Sequence, residues 1–274
     1  MNNKVRVIPG FKLSLSFTIT YLMIIILIPL GALITRGMGM GLNSFIESGF
    51  TPRALAGYKV SFGCALVAAL VNVFFGTILA WVLVRYDFPF KRFLDGCIDL
   101  PFALPTAVAG ITLTTLYSKN GWVGKILYGI GIKSSFSLLG IIIALIFIGI
   151  PFVVRTVQPV LSHLDDQYEE AATVLGASKT RIFWKVILPE ISTSILTGFS
   201  LAFARGIGEY GSVIFIAGNM PMKTEVAPLL IMSKLEQYDY NGAIAIALVM
   251  LSISFIMLLL INVFQWHSNK FIKE

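Results

Sequence analysis

RTVQPVLSHLDDQYEEAATVLGASKTRIFWKVILPE, residues 155–190, is the longest polar interval in an otherwise apolar chain. It carries Asp165, Asp166, Glu169, Glu170, Lys179, Arg181, Lys185 and Glu190. Before it lies an uncharged run, 134–154, bounded by Lys133 and Arg155. After it a second run, 191–217, is interrupted by Arg205 and Glu209. A helix needs about 20 apolar residues to cross the hydrocarbon core, so both runs read as membrane spans and the stretch between them as a loop.

Working outward, four more runs have that length. They are 13–35, 60–84, 100–118 and 243–264. The fold class expected is therefore an all-α integral membrane domain of six transmembrane helices, occupying 1–274 as one unit. A barrel needs alternating segments of about ten residues, and these runs are continuously apolar. Composition agrees: 57% of the 274 residues are hydrophobic and 13% are charged, against about 25% charged in soluble domains. The first run follows Lys4, Arg6 and Lys12 and resembles a signal sequence. At 23 residues it exceeds the roughly 7–15 of a signal core, and it reads as a retained first span.

The net charge of +7 comes from basic residues in short loops, which fits membrane orientation better than a nucleic-acid face. With the N-terminus inside, inner segments hold 12 Lys and Arg and outer segments 8. That bias favours cytoplasmic N- and C-termini. Cys64 and Cys97 lack metal-ligand spacing. Gly176-Ala-Ser-Lys-Thr180 lacks the glycine that a nucleotide-binding loop places before its lysine. Gly206, Gly208 and Gly211 match a dinucleotide string but sit in an apolar helix, where small residues serve helix packing. His163 and His267 have no partner at catalytic spacing. Tyr117, Trp122 and Trp266 lie near span ends and suit interfacial anchoring.

Within the polar stretch, Ala171, Ala172 and Leu175 form a small apolar face on a short helix. Gly176 is placed to end that helix at positive φ. Glu170-Ala171-Ala172, three residues, Gly176, nine residues, then Val186-Ile187-Leu188-Pro189 resembles the EAA loop of ABC importer permeases. Val186 stands where isoleucine is usual. Asp99-Leu-Pro-Phe-Ala-Leu-Pro-Thr106 and Phe203-Ala-Arg-Gly-Ile-Gly-Glu-Tyr-Gly-Ser212 are similar to sulfate and molybdate permeases, and Leu235-Glu-Gln-Tyr-Asp-Tyr-Asn-Gly-Ala243 resembles sulfate/thiosulfate permeases of the CysT type. The resemblance implies a type I importer permease whose loop 165–189 is a cytoplasmic coupling helix. Glu169, Glu170, Ala171, Ala172, Leu175, Gly176, Leu188 and Pro189 would then meet an ATPase. It further implies a second, similar permease chain (CysW type), two ATP-binding subunits and an external sulfate/thiosulfate-binding protein. The location implied is a bacterial inner membrane or a plastid envelope. ATP and magnesium would belong to the partner chains, with no cofactor in this one. A molybdate or tungstate permease, or a secondary anion transporter, are the alternatives.

Arg205 and Glu209 are four apart and share a helix face. Charges at membrane depth cost about 2.5–3.5 kcal/mol each on insertion scales, so the pair should face protein or water. It reads either as a place where a dianion passes or as a self-neutralising structural pair. Pro101 and Pro105 loosen the third run. Thr106, Thr112, Thr114 and Thr115 offer hydroxyls to a cavity, or bond their own backbone within a kinked helix.

Overall fold

The computed structural model describes residues 11–273. Lys4 and Arg6 lie outside the described residues, as do the side chains of Trp266 and His267. In chain order the helices are α1 Phe11–Gly39, α2 Leu42–Gly49, α3 Pro52–Arg85, α4 Lys91–Ile98, α5 Leu100–Ala103, α6 Thr106–Tyr117 and α7 Trp122–Gly129. There follow α8 Leu138–His163, α9 Asp166–Val174, α10 Lys179–Ile207, α11 Val213–Ile216, α12 Ala227–Glu236 and α13 Tyr240–Lys273. Five of these are long and apolar enough to cross a membrane: α1, α3, α8, α10 and the 240–263 part of α13.

The sixth expected span, 100–118, is a broken element. Pro105 has no N–H to continue the ladder and holds the residue before it out of the α region. Leu104 accordingly takes φ −85° and ψ 134°. The short α5 therefore stops, and the 12-residue α6 restarts at Thr106.

Helix ends differ from the charge-bounded windows because backbone bonding continues beyond the hydrocarbon. α3 begins at Pro52, ahead of the expected residue 60, because the Thr51 hydroxyl caps the Ala54 N–H at 3.1 Å and proline suits the first turn. α8 starts at a Ser137 cap on the Gly140 N–H (3.2 Å) and runs through Arg155 to His163. α10 begins at Lys179, well before residue 191, and passes through a π turn at 183–187. Ser178 caps its first turn. It ends at Ile207 rather than 217.

α3, α8 and α10 form the central bundle. α3 turns a stripe of small residues inward: Gly57, Ser61, Ala65, Ala68, Asn72, Gly76 and Ala80. Against them pack Ile141, Leu145, Val153, Val154, Val157 and Leu161 of α8, and Ile191, Ala202 and Phe203 of α10. Lipid is as apolar as leucine, so close backbone approach and dispersion hold such a bundle. A Cβ on Gly76 would lie 2.9 Å from Val153. Gly206 similarly rests on Ala65, with a Cβ 3.3 Å away, which is helix packing through small residues. α13 docks on α12, α10, α2 and the end of α1. The most apolar stretch of α1 buries nothing against the rest of the chain.

Ion pairs fasten both ends of the bundle. At one end Arg155 donates to both Asp99 oxygens (2.9 and 2.7 Å), to Asp95 Oδ1 and to Gln158 (each 2.7 Å). This joins α4 to α8. At the other end Arg53 forks onto Glu225 with two bonds of 2.7 Å.

Candidate functional site

Two sets of residues stand out, one before the start of α10 and one at its end. The first is α9. Asp165 caps it by accepting from the Gln167 N–H at 3.0 Å. It closes on a Schellman turn: Ala177 N–H bonds Ala172 O (3.0 Å) and Gly176 N–H bonds Thr173 O (2.9 Å). Gly176 takes φ +75° there, a region that costs other residues about 1–2 kcal/mol.

The apolar surface of α9 differs from the one expected. Ala172 turns inward and, like Leu164, Ala177, Val186 and Leu188, packs against the core. The outward apolar patch is Ala171, Val174 and Leu175, with Val174 and Leu175 each 87% exposed. The period of 3.6 explains the swap, since 171, 174 and 175 share a face that 172 leaves. Glu170 is exposed, whereas Glu169 is half-buried against Arg85 of α3. Leu188 and Pro189 sit in the first turn after the π turn, half-buried, where they seat α10 rather than reach outward. His163 is exposed and its Nδ1 lies 2.7 Å from Pro159 O.

The second set lies at the other end of α10, where Gly206 rests level with Ala65 of α3. Arg205 is in the last turn of α10, and Glu209 follows the helix, after Gly208. They still pair, at 2.5 Å. Glu209 is 2% exposed. Its other oxygen accepts from the Ser212 N–H and hydroxyl, both at 2.9 Å. The carboxylate is thereby fixed, and it holds an Arg205 side chain that is 35% exposed.

This turn also seats α6. A Cβ on Gly211 would lie 2.1 Å from Thr106 Oγ1, and one on Gly110 would lie 2.5 Å from Ser212 O. The two glycines let the backbones touch, so Thr106, Arg205 and Glu209 belong to one assembly. Thr112 stands apart from it. Its hydroxyl bonds Val108 O at 2.9 Å, and Thr114 and Thr115 bond Gly110 O (2.7 Å) and Ile111 O (2.9 Å) likewise. Those three hydroxyls are satisfied by their own helix, as kinked-helix threonines are.

Sequence reasoning missed Arg85, Val174, Ser212 and the Arg53–Glu225 fork. Val174 was open to it through the 3.6 period. The others depend on contacts between separate elements, or on a turn that composition does not reveal.

The described helices form a membrane-type bundle with a short capped helix exposed at one end. The chain belongs to the family of binding-protein-dependent transport system inner membrane components, whose model matches residues 72–268. The sulfate transport system permease protein CysT of Synechocystis sp. is 49% identical over 257 residues, covering 94% of this chain and 90% of that protein. The protein of the same name from Escherichia coli is 48% identical, with 95% and 94% covered. A bacterial ABC transporter that imports the acidic polysaccharide alginate shares the fold, at a TM-score of 0.77 and 16% identity, covering 94% of this chain and 96% of that one. This chain is thus a multi-pass inner-membrane permease subunit of an ABC importer that works with a binding protein, and its role is transport rather than catalysis.

Proposed function

We propose that this chain passes sulfate, and thiosulfate with it, by alternating access driven by a separate ATPase. The observation that carries the coupling half is α9. It is a short capped helix presenting Glu170, Ala171, Val174 and Leu175 outward from an otherwise membrane-embedded bundle. Small and branched apolar side chains beside a carboxylate suit a groove on a soluble partner. The cargo half draws support from relatives near one-half identity that are named sulfate permeases.

In this reading both termini are cytoplasmic and α9 seats on one of two ATP-binding subunits. A second, similar permease completes the passage. ATP and magnesium act in the partner chains, and this chain holds no cofactor. Closure of the ATPases pushes on α9 and rocks the helices. Arg205, held by Glu209 beside Thr106, meets the dianion briefly at the far end; Thr112 contributes only its helix. A conduit must also release its cargo, and a single half-exposed guanidinium suits transient contact.

The test is radiolabelled sulfate uptake in cells deleted for this gene, with thiosulfate and molybdate as competitors. Uptake lost on deletion, restored by the gene, blocked by thiosulfate and untouched by trace molybdate is the expected result. Intact sulfate uptake with lost molybdate accumulation overturns the cargo. Uptake that follows a proton gradient and ignores vanadate overturns the ATP-driven mechanism.

A further inference from the structure

Helix α9 reaches out from the bundle. Tyr168, Val174 and Leu175 are exposed, and Ala172 provides a small inward contact. Glu169 is a charged tie to the body, accepting from the Arg85 guanidinium. Both side chains are more than two-thirds shielded, so the pair is screened less than a free surface pair. Arg85 also stands 5.6 Å over the Trp81 ring. Trp81 meets Phe183, at the π turn of α10, edge to face at 5.5 Å.

Arg85 is the last residue of α3, a long unbroken helix. It runs 34 residues with no proline beyond its first turn, a rod of about 51 Å at 1.5 Å per residue. Its other end carries Arg53, forked onto a Glu225 side chain that is 1% exposed. Beside that fork the Ser61 hydroxyl accepts from the Ala227 N–H at 2.8 Å. One unbroken helix therefore has an ion pair at each end: one to α9, the other to the loop that leads into α12. Rigid elements joined by discrete contacts are what carries coupling over such distances.

We propose that Arg85 is a positioning residue that transfers the motion of α9 into α3, and that α3 delivers it to the Glu225 loop at the opposite face. The proposal rests on α9 being the ATPase seat. Two features separate it from a plain structural anchor. The pair joins elements that are distant in sequence, and it leaves the outward patch of Ala171, Val174 and Leu175 untouched. Losing the pair should therefore spare docking and break transmission.

The experiment uses the full transporter in liposomes, with Arg85→Glu, Glu169→Arg and the double charge swap. Sulfate taken up per ATP hydrolysed is measured, along with retention of the ATPase during purification. Each single variant should retain the ATPase and still hydrolyse ATP, while uptake per ATP falls about tenfold, a typical scale for a severed coupling contact. The double swap should recover most of it. In the isolated wild-type and Arg85→Ala permeases, amide hydrogen exchange across 166–174 should be faster in the variant. Single variants with wild-type uptake per ATP, a double swap as impaired as its parents, or unchanged exchange would each overturn the transfer role alone. A wild-type complex that moves cargo without hydrolysing ATP would instead sink the docking reading and this proposal with it.

Discussion

Replacing Arg205 with methionine should cost more stability than replacing Glu209, although the two form one pair. The asymmetry comes from burial: Glu209 is 2% exposed and Arg205 35%. Removing the arginine strands a carboxylate inside the protein, and such losses cost about 3–5 kcal/mol. The Ser212 N–H and hydroxyl remain on Glu209 at 2.9 Å, which puts the expected cost near the lower end, about 3 kcal/mol. Removing the glutamate strands a cation that can turn to water. A half-exposed guanidinium left without its partner loses about 0–1 kcal/mol, and the Ser212 N–H loses its acceptor for about 1 more. The single variants should then differ by about 1–2 kcal/mol by that accounting. Changing both to methionine removes the charges together and should be milder than Arg205→Met alone. Thermal melting of the purified permease in detergent, followed by size exclusion, reads the order. A chain of this size should shift by roughly 2–4 °C per kcal/mol. Glu209→Met melting at or below Arg205→Met, or a double variant as unstable as the sum of the singles, would refute the reasoning.

Other substitutions probe single contacts. Gly176→Val places a branched side chain at φ +75° with no neighbour within 4 Å. The penalty is backbone strain of about 1–2 kcal/mol, so ATPase retained on purification should fall, and Gly176→Asn should fall less. Gly110→Val drives a Cβ to 2.5 Å from Ser212 O. Overpacking of this kind costs about 1–3 kcal/mol, and the melting temperature should drop accordingly; an unchanged melt would show that α6 yields freely. The Asp239 carboxyl is held below its ordinary range, first by the Lys234 ammonium and then by the Gly242 N–H. A lowered folded-state value means its stabilisation is present at neutral pH and is lost as pH falls through that value. Wild type and Asp239→Asn should therefore converge in melting temperature under acid and diverge toward pH 7.

The membrane class and the places of the long helices were legible because uncharged runs of helical length have one economical reading. Their ends were less so. Thr51 and Ser137 move helix starts by cap hydrogen bonds, which a hydropathy window does not weigh. The prolines at 101 and 105 signalled a loosened third run, and the structure turns that into a full stop at Leu104. In the coupling region the pattern from Glu170 to Pro189 was visible as spacing. The inward turn of Ala172 and the exposure of Val174 were not, because they depend on how α9 rolls onto the core. Arg85 and Glu169 lie 84 positions apart, and Arg53 and Glu225 lie 172 apart. Nothing local in the sequence announces either pair. Arg205 and Glu209 were paired correctly by their spacing, but the Ser212 turn that fixes Glu209 was hidden in what looked like continuing helix.

The stop at Leu104 has a consequence for the protein's surroundings. Pro105 supplies no amide hydrogen, and the backbone at 104 and 105 is extended and exposed on the isolated chain. It lies only a few residues inside the Asp99 anchor on Arg155. Acyl chains cannot satisfy orphan carbonyls, and non-helical backbone persists at membrane depth only against protein or water. At membrane depth the flank bearing Phe102 to Pro105 should therefore face protein or water. Around the circumference of this subunit, that sector is where the bilayer must give way to another chain or to an aqueous path.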